Sequence, residues 1–99
     1  MSINARKYLE SQVGCLSLGK TLRAIRLGEA ESQTSFSKKL HVSVQYLCDL
    51  EHERKIVSAK KAKFFADILG YSAEQFVRLA IQDSLNQYNI AMHVEVFAA

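Results

Sequence analysis

Residues 32–51 read SQTSFSKKLHVSVQYLCDLE and contain two short helical patterns with a brief turn between them. Ser32 and Ser43 are both good N-cap residues, because a serine hydroxyl can accept a hydrogen bond from a backbone N–H in the first helical turn. Each serine is followed by apolar residues one turn apart, which predicts helices over 33–40 and 44–51. Three residues connect these helices. Two helices of about two turns each, joined so closely, are typical of a helix-turn-helix.

Further helices are predicted on both sides of this pair. Apolar residues recur at helical spacing, with a serine or an asparagine at each expected start and a glycine at three of the four ends. The predicted helices cover 17–28, 59–70 and 73–87, and a short extra helix covers 5–13. The pattern therefore indicates five helices in the main body of the chain and one more at its N-terminus.

The composition agrees with a mainly α fold. The chain has 99 residues, no proline and 4 glycines. A chain of this length is expected to form one domain. Sandwiches and barrels need many tight turns, and these turns depend on glycine and proline. An all-β fold is therefore not expected.

The last residues follow a different period. Over 90–97 the apolar residues Ile90, Met92, Val94 and Val96 alternate with their neighbours, and a period of two is typical of a β-strand. A single strand cannot satisfy its own backbone groups. Since no second strand is evident in the sequence, we expect an outside partner to pair with this segment, most simply the same segment of a second copy.

Charge is unevenly distributed along the chain. Residues 1–70 contain 12 basic and 7 acidic residues, whereas 71–99 contain 1 basic and 3 acidic residues, and the net charge is +3. A basic body modestly favours a nucleic-acid partner. The predicted organisation is an N-terminal helical extension over 1–16, a helix-turn-helix domain over 17–88 and a C-terminal strand over 89–99.

The residues disfavour several other classes of protein. The histidines at 41, 52 and 93 and the cysteines at 15 and 48 lack the spacing of a metal site. With no phosphate loop and no ordered catalytic triad, we expect no enzyme, no metal and no cofactor. Two lone cysteines without a signal-peptide pattern predict reduced thiols in the cytoplasm. No stretch approaches the roughly 20 apolar residues of a membrane span, so no membrane partner is expected.

Over residues 18–76 the chain resembles the phage-repressor (Cro-like, XRE) helix-turn-helix family. The family order is Ser-Gln, an apolar-small pair, Leu-Gly-Val-Ser, Tyr-Leu and apolar-Glu, and residues 32–51 follow it except at the glycine. The stretch 65–72, Phe-Ala-Asp-Ile-Leu-Gly-Tyr-Ser, is similar to the fourth helix of the family and the turn after it. Ser37 stands where a small residue lets the paired helices cross. His41 replaces the usual glycine of the turn, at a position that normally takes positive φ.

This resemblance implies that the second helix of the pair lies in the major groove with its N-terminal residues at base edges. By position, the candidate base-reading residues are Ser43, Val44, Gln45 and Asp49. Gln45 can contact adenine through two hydrogen bonds, and Val44 can contact a thymine methyl group. Asp49 can accept a hydrogen bond from cytosine, or it can pair with Arg54 instead.

The resemblance also places Gln33 at a phosphate, near a helix N-terminus. Basic residues add phosphate contacts when they face the DNA, and otherwise form a solvated surface. The further phosphate candidates are Lys38, Arg54, Lys55, Lys60 and Lys61. Glu51 and Glu53 dilute the positive charge of this region, and Glu53 replaces a residue that is commonly glycine.

The helix over 73–87 carries a second apolar stripe that a single five-helix core does not need. This stripe and the C-terminal strand predict a homodimer interface, although the N-terminal helix is an alternative cover for the stripe. A dimer would present two reading helices to half-sites one helical turn apart. The predicted interface residues are Val77, Ile81, Leu85, Tyr88, Ile90, Met92, Val94 and Val96.

These expectations describe a transcriptional regulator, most simply a repressor, that binds a double-stranded DNA operator as a homodimer. Small proteins of the resembled family often serve as antitoxins, which bind a toxin and repress their own operon. In that alternative the C-terminal strand would add to a toxin protein. A protein-interaction module with weak DNA binding is the third possibility, since Val44, Asp49 and Glu53 do not favour tight DNA binding.

Overall fold

The computed structural model describes residues 16–99, and the predicted helix over 5–13 lies outside the described residues. Five α-helices make up 62% of the described part, which confirms a mainly helical fold. These residues divide into two units, one ending at Lys55 and the other beginning at Ile56. In chain order the helices are α1 (Leu18–Gly28), α2 (Gln33–Lys39), α3 (Val44–Glu51), α4 (Ala59–Leu69) and α5 (Ala73–Gln87).

Each of these five helices begins after a serine that caps it. At α3, the Ser43 hydroxyl oxygen accepts a hydrogen bond from the Tyr46 backbone N–H at 3.0 Å. A cap of this kind contributes about 1 kcal/mol. The predicted bounds agree with the structure to within one residue, because the caps fix the starts locally. The same bond is made at the other four starts by Ser17, Ser32, Ser58 and Ser72.

The helices α2 and α3 pack together in the first unit. Phe36, Leu40 and Leu47 are fully buried. Ser37 is also buried, as expected for the small residue at the crossing. Its hydroxyl donates a hydrogen bond to the Thr34 carbonyl at 2.9 Å, so this buried polar group is satisfied. The residues that the sequence predicts to face inward in this helix pair are therefore buried in the structure.

Two non-glycine residues adopt the left-handed conformation beside α3. His41, in the turn before α3, has φ of 58°, which confirms the prediction for this position. Glu53, in the loop after α3, has φ of 59°. A left-handed residue with a Cβ costs about 1 kcal/mol. The turn is held by backbone hydrogen bonds, including one from the Val42 N–H to the Ser37 carbonyl at 3.0 Å.

Gly19 allows α1 to approach α3 closely. A Cβ atom added at Gly19 would collide with the backbone carbonyl of Leu50, in the last turn of α3. Leu18, Leu22 and Ile25 of α1 are fully buried around this contact. The position of α3 thus depends on Gly19 of α1, because glycine has no side chain.

The second unit contains α4 and α5. Phe65 of α4 and Phe76 of α5 are buried. The chain leaves α4 through Gly70, which takes φ of 75°, a conformation that glycine adopts without steric cost. After this turn, the Tyr71 ring stacks on Phe76 with 5.8 Å between ring centroids.

The predicted β-strand over 90–97 is not supported, since no strand occurs among residues 16–99 of the single chain. A strand needs a neighbour that exchanges backbone hydrogen bonds with it. Here the side-chain amide of Gln82, on α5, bonds to the segment instead. Its Nε2 donates to the Met92 carbonyl at 2.8 Å, and its Oε1 accepts from the Val94 N–H at 3.0 Å.

Candidate nucleic-acid interface

The start of α3 faces solvent, whereas its later residues are buried. Ser43, Val44 and Gln45 are exposed. Leu47 and Leu50 are buried and anchor the helix in its unit. A helix fixed along one face, with a free first turn, has the geometry that a groove-reading helix requires. Three of the four predicted base-reading residues are therefore accessible together.

Asp49, the fourth candidate, is largely buried by its own neighbours. It is 9% exposed. Its Oδ1 accepts hydrogen bonds from Arg54 Nε at 2.9 Å and from Gln45 Nε2 at 3.0 Å, and Oδ2 lies 3.5 Å from Lys55 Nζ. The hydrogen bond from Arg54 is the main reason that the pKa of Asp49 lies below its ordinary value. The carboxylate is thus ionised and its two oxygens face protein groups.

Arg54 and Lys55 are exposed in the loop after α3, as phosphate ligands must be. Their side chains are 53% and 55% exposed. Lys55 Nζ also lies 5.5 Å from the centre of the Tyr46 ring, within the range of a cation–π contact. Because both cations face Asp49, these three charged residues together contribute a net charge of +1.

Gln33, predicted to bind phosphate, is anchored to a buried ion pair. Its Nε2 donates a hydrogen bond to Glu51 Oε1 at 3.1 Å. The same carboxylate accepts two hydrogen bonds from Arg26, from Nε at 2.8 Å and from a terminal nitrogen at 2.9 Å. Glu51 is 1% exposed. Nε2 of Gln33 keeps a second hydrogen for another acceptor.

Sequence reasoning missed the ion pair between Arg26 and Glu51. Glu51 was expected to dilute the charge at the DNA surface, whereas it is buried and compensated by Arg26. A signal was available: Arg26 follows Leu22 by four residues and Glu51 follows Leu47 by four. Side chains four residues apart lie on the same helix face. Arg26 and Glu51 are therefore each expected on the face of the helix that the leucine buries.

The remaining predicted phosphate ligands are exposed lysines. Lys38 lies near the end of α2, in the first unit. Lys60 and Lys61 belong to the first turn of α4, in the second unit. Nearby, Lys63 is paired with Asp67 at 2.9 Å. The second unit thus carries its own basic group, separate along the chain from α3.

The predicted dimer residues are partly exposed in the single chain. Ile81 is 36% exposed and Tyr88 70%, while Val77 and Leu85 are half-buried. In the C-terminal segment, Ile90 and Met92 are exposed, and Val94 and Val96 are half-buried. An open cavity of about 360 Å³ lies beside α5, lined in part by Ile81 and Tyr88. The stripe therefore presents apolar surface to solvent.

Comparisons of this chain with protein families, curated proteins and solved structures give no match. The resemblance over 18–76 stays a prediction from the residues themselves. Within residues 16–99, no helix is long and apolar enough to cross a membrane. In the same range, no three or more His, Cys, Asp or Glu side chains come together as a metal site would require.

Proposed function

We propose that the protein is a sequence-specific DNA-binding regulator of transcription, most simply a repressor, that reads the major groove with α3. The observation that carries this proposal is the exposed first turn of α3 on a helix whose other face is buried. Gln45 offers a donor and an acceptor, which suit adenine, and Val44 offers apolar contact. The connection from α2, residues 40–43, is as short as a helix-turn-helix needs.

The charge around α3 supports the same proposal. Lys38, Arg54 and Lys55 are exposed cations in the unit that holds α3, and Gln33 is oriented by Glu51. Phosphate neutralisation supplies much of the affinity of DNA-binding proteins. Because Glu51 is neutralised by Arg26, it opposes phosphate binding less than its formal charge suggests. We expect affinity to fall steeply as salt is raised.

Gln45→Ala tests the reading of bases. We expect it to weaken binding to a selected operator by about 1–3 kcal/mol and to leave binding to random DNA nearly unchanged, because it removes a base contact and no charge. Gel-shift titrations on both DNAs measure this difference. Gln75→Ala, which removes an exposed glutamine from the first turn of α5, is the control. Equal losses on operator and random DNA would contradict the assignment.

The proposed regulator acts as a homodimer, and the apolar stripe on α5 is the proposed interface. Exposed apolar side chains in a continuous stripe mark protein contacts more often than isolated ones do. Ile81 and Tyr88 supply this surface, and the C-terminal segment adds Ile90 and Met92. A two-fold dimer uses the same stripe on both copies.

Ile81→Asp tests the interface, since it places a charge in the middle of the stripe. We expect the mass in sedimentation equilibrium to fall from two chains to one, because an unpaired charge is costly to bury. Leu27→Asp is the control, as Leu27 is an exposed apolar residue on α1, 50% exposed against 36% for Ile81. A variant at Ile81 that stays dimeric would place the interface elsewhere.

A second candidate function is an antitoxin that binds a toxin protein and represses its own operon. The observation in its favour is the exposed apolar surface of the C-terminal segment, where Met92 is 65% and Phe97 80% exposed. Both the regulator and the antitoxin bind DNA, whereas a pure protein-interaction module does not. Selection of bound sequences from a random DNA pool separates these two DNA-binding functions from the module. Recovery of no site would favour the module.

A further inference from the structure

We propose that Asp49 is a positioning residue that orients the amide of Gln45 toward adenine, so that α3 selects an A·T pair at this position. This inference rests on the proposed DNA-binding function. It starts from the hydrogen bond between Gln45 Nε2 and Asp49 Oδ1, at 3.0 Å. The two residues are four apart on α3, so their side chains lie on one face.

The chemistry of a carboxylate allows one orientation of the Gln45 amide. An ionised aspartate accepts hydrogen bonds and donates none. The Gln45 nitrogen must therefore face Asp49, and Oε1 must face away from it. A glutamine amide in solvent has no such constraint, because its two ends have nearly the same shape. Asp49 thus removes an ambiguity that would otherwise weaken the discrimination between bases.

Asp49 is itself held by the loop after α3. The Arg54 backbone N–H donates to the Asp49 carbonyl at 2.8 Å, and Arg54 Nε donates to Oδ1 at 2.9 Å. Lys55 Nζ lies 3.5 Å from Oδ2. These cations keep Asp49 ionised and occupy its oxygens. The carboxylate is consequently engaged within the protein, and its effect on DNA passes through Gln45.

The oriented amide has a free N–H and a free Oε1. Adenine presents an acceptor at N7 and a donor at N6 in the major groove, which match this pair of groups. Guanine presents two acceptors, N7 and O6, so Oε1 would meet a second acceptor there. The arrangement therefore favours adenine over guanine. An amide free to turn over would lose much of this preference.

The test compares the affinity for a selected site with that for the same site carrying G·C at the pair read by Gln45. The base pair read by Gln45 is identified as the one at which the Gln45→Ala variant loses the base preference of the unaltered protein. Asp49→Asn offers both a donor and an acceptor to Gln45, and we expect the preference for A·T to fall about tenfold. Asp49→Glu keeps an acceptor-only group and should retain most of the preference. Asp67→Asn, a change at an exposed aspartate on α4, is the control.

The combined variant separates positioning from direct reading. If Asp49 acts through Gln45, Asp49→Asn should not change the base preference at this pair in the Gln45→Ala background. An unchanged preference in Asp49→Asn alone, or an equal change in both backgrounds, would overturn the inference while leaving the DNA-binding function standing. Recovery of no DNA site by the unaltered protein would instead remove the proposed function, and this inference with it.

Discussion

Gly19→Ala is expected to lower the free energy of unfolding by about 3 kcal/mol. The added methyl group meets the backbone carbonyl of Leu50, which cannot rotate away as a flexible side chain can. The helices α1 and α3 must separate, and fully buried residues such as Leu22 and Ile25 lose contacts. Urea unfolding followed by circular dichroism measures the change.

Gly28→Ala is the matched control for this prediction. Gly28 is the last residue of the same helix and is exposed. Alanine there should be neutral or slightly stabilising, because alanine favours helix more than glycine does. If Gly19→Ala were as stable as the unaltered protein, the close backbone contact between α1 and α3 would be refuted. The proposed function adds a second readout, since displacement of α3 should also weaken binding to the operator.

Glu51→Ala is expected to cost about 3 kcal/mol, because it leaves the charge of Arg26 without its partner in a largely buried site. Gln33 loses an acceptor at the same time. Thermal and urea unfolding measure the loss. Glu29→Ala is the control: Glu29 lies 3.6 Å from Lys39 on the surface, and such exposed pairs contribute less than about 1 kcal/mol. Equal losses in the two variants would contradict a special role for the buried pair.

The pH dependence gives an independent check on Glu51. Burial opposes its ionisation, but hydrogen bonds from Arg26 and Gln33 outweigh this effect and hold the pKa of Glu51 below its ordinary value of 4.5. The folded state therefore binds the proton less readily than the unfolded state does. The stabilisation is complete above the ordinary pKa and is lost as the pH falls through the lower folded value. Glu51→Gln should remove this part of the acid sensitivity.

The sequence predicted the helices well, because the signals that set them are local. A serine cap acts within one helical turn, and apolar residues three and four apart define a buried face without reference to distant residues. The positive φ at His41 was also predicted, from the glycine that the resembled family has at this position. At the candidate site, the exposure of Gln45 follows from the same spacing.

Contacts between distant residues were not predictable from these patterns. Arg26 and Glu51 are 25 residues apart, and their pairing appears only when α1 and α3 pack side by side. The sequence allowed two interpretations of Asp49, a hydrogen bond to cytosine or a pair with Arg54. The fold of the loop after α3 places Arg54 against it. The strand predicted over 90–97 is absent from the described chain, since β pairing needs a partner that periodicity cannot supply.

The order and limits of the five helices were therefore encoded in short-range patterns of serine caps and apolar spacing. The tertiary structure decided which charges are buried, which are engaged with one another and which remain exposed. The physical reason is that the state of a charged or polar side chain depends on the groups that packing brings near it. Asp49 and Glu51, two acids in one short helix, are oriented toward different partners by that packing.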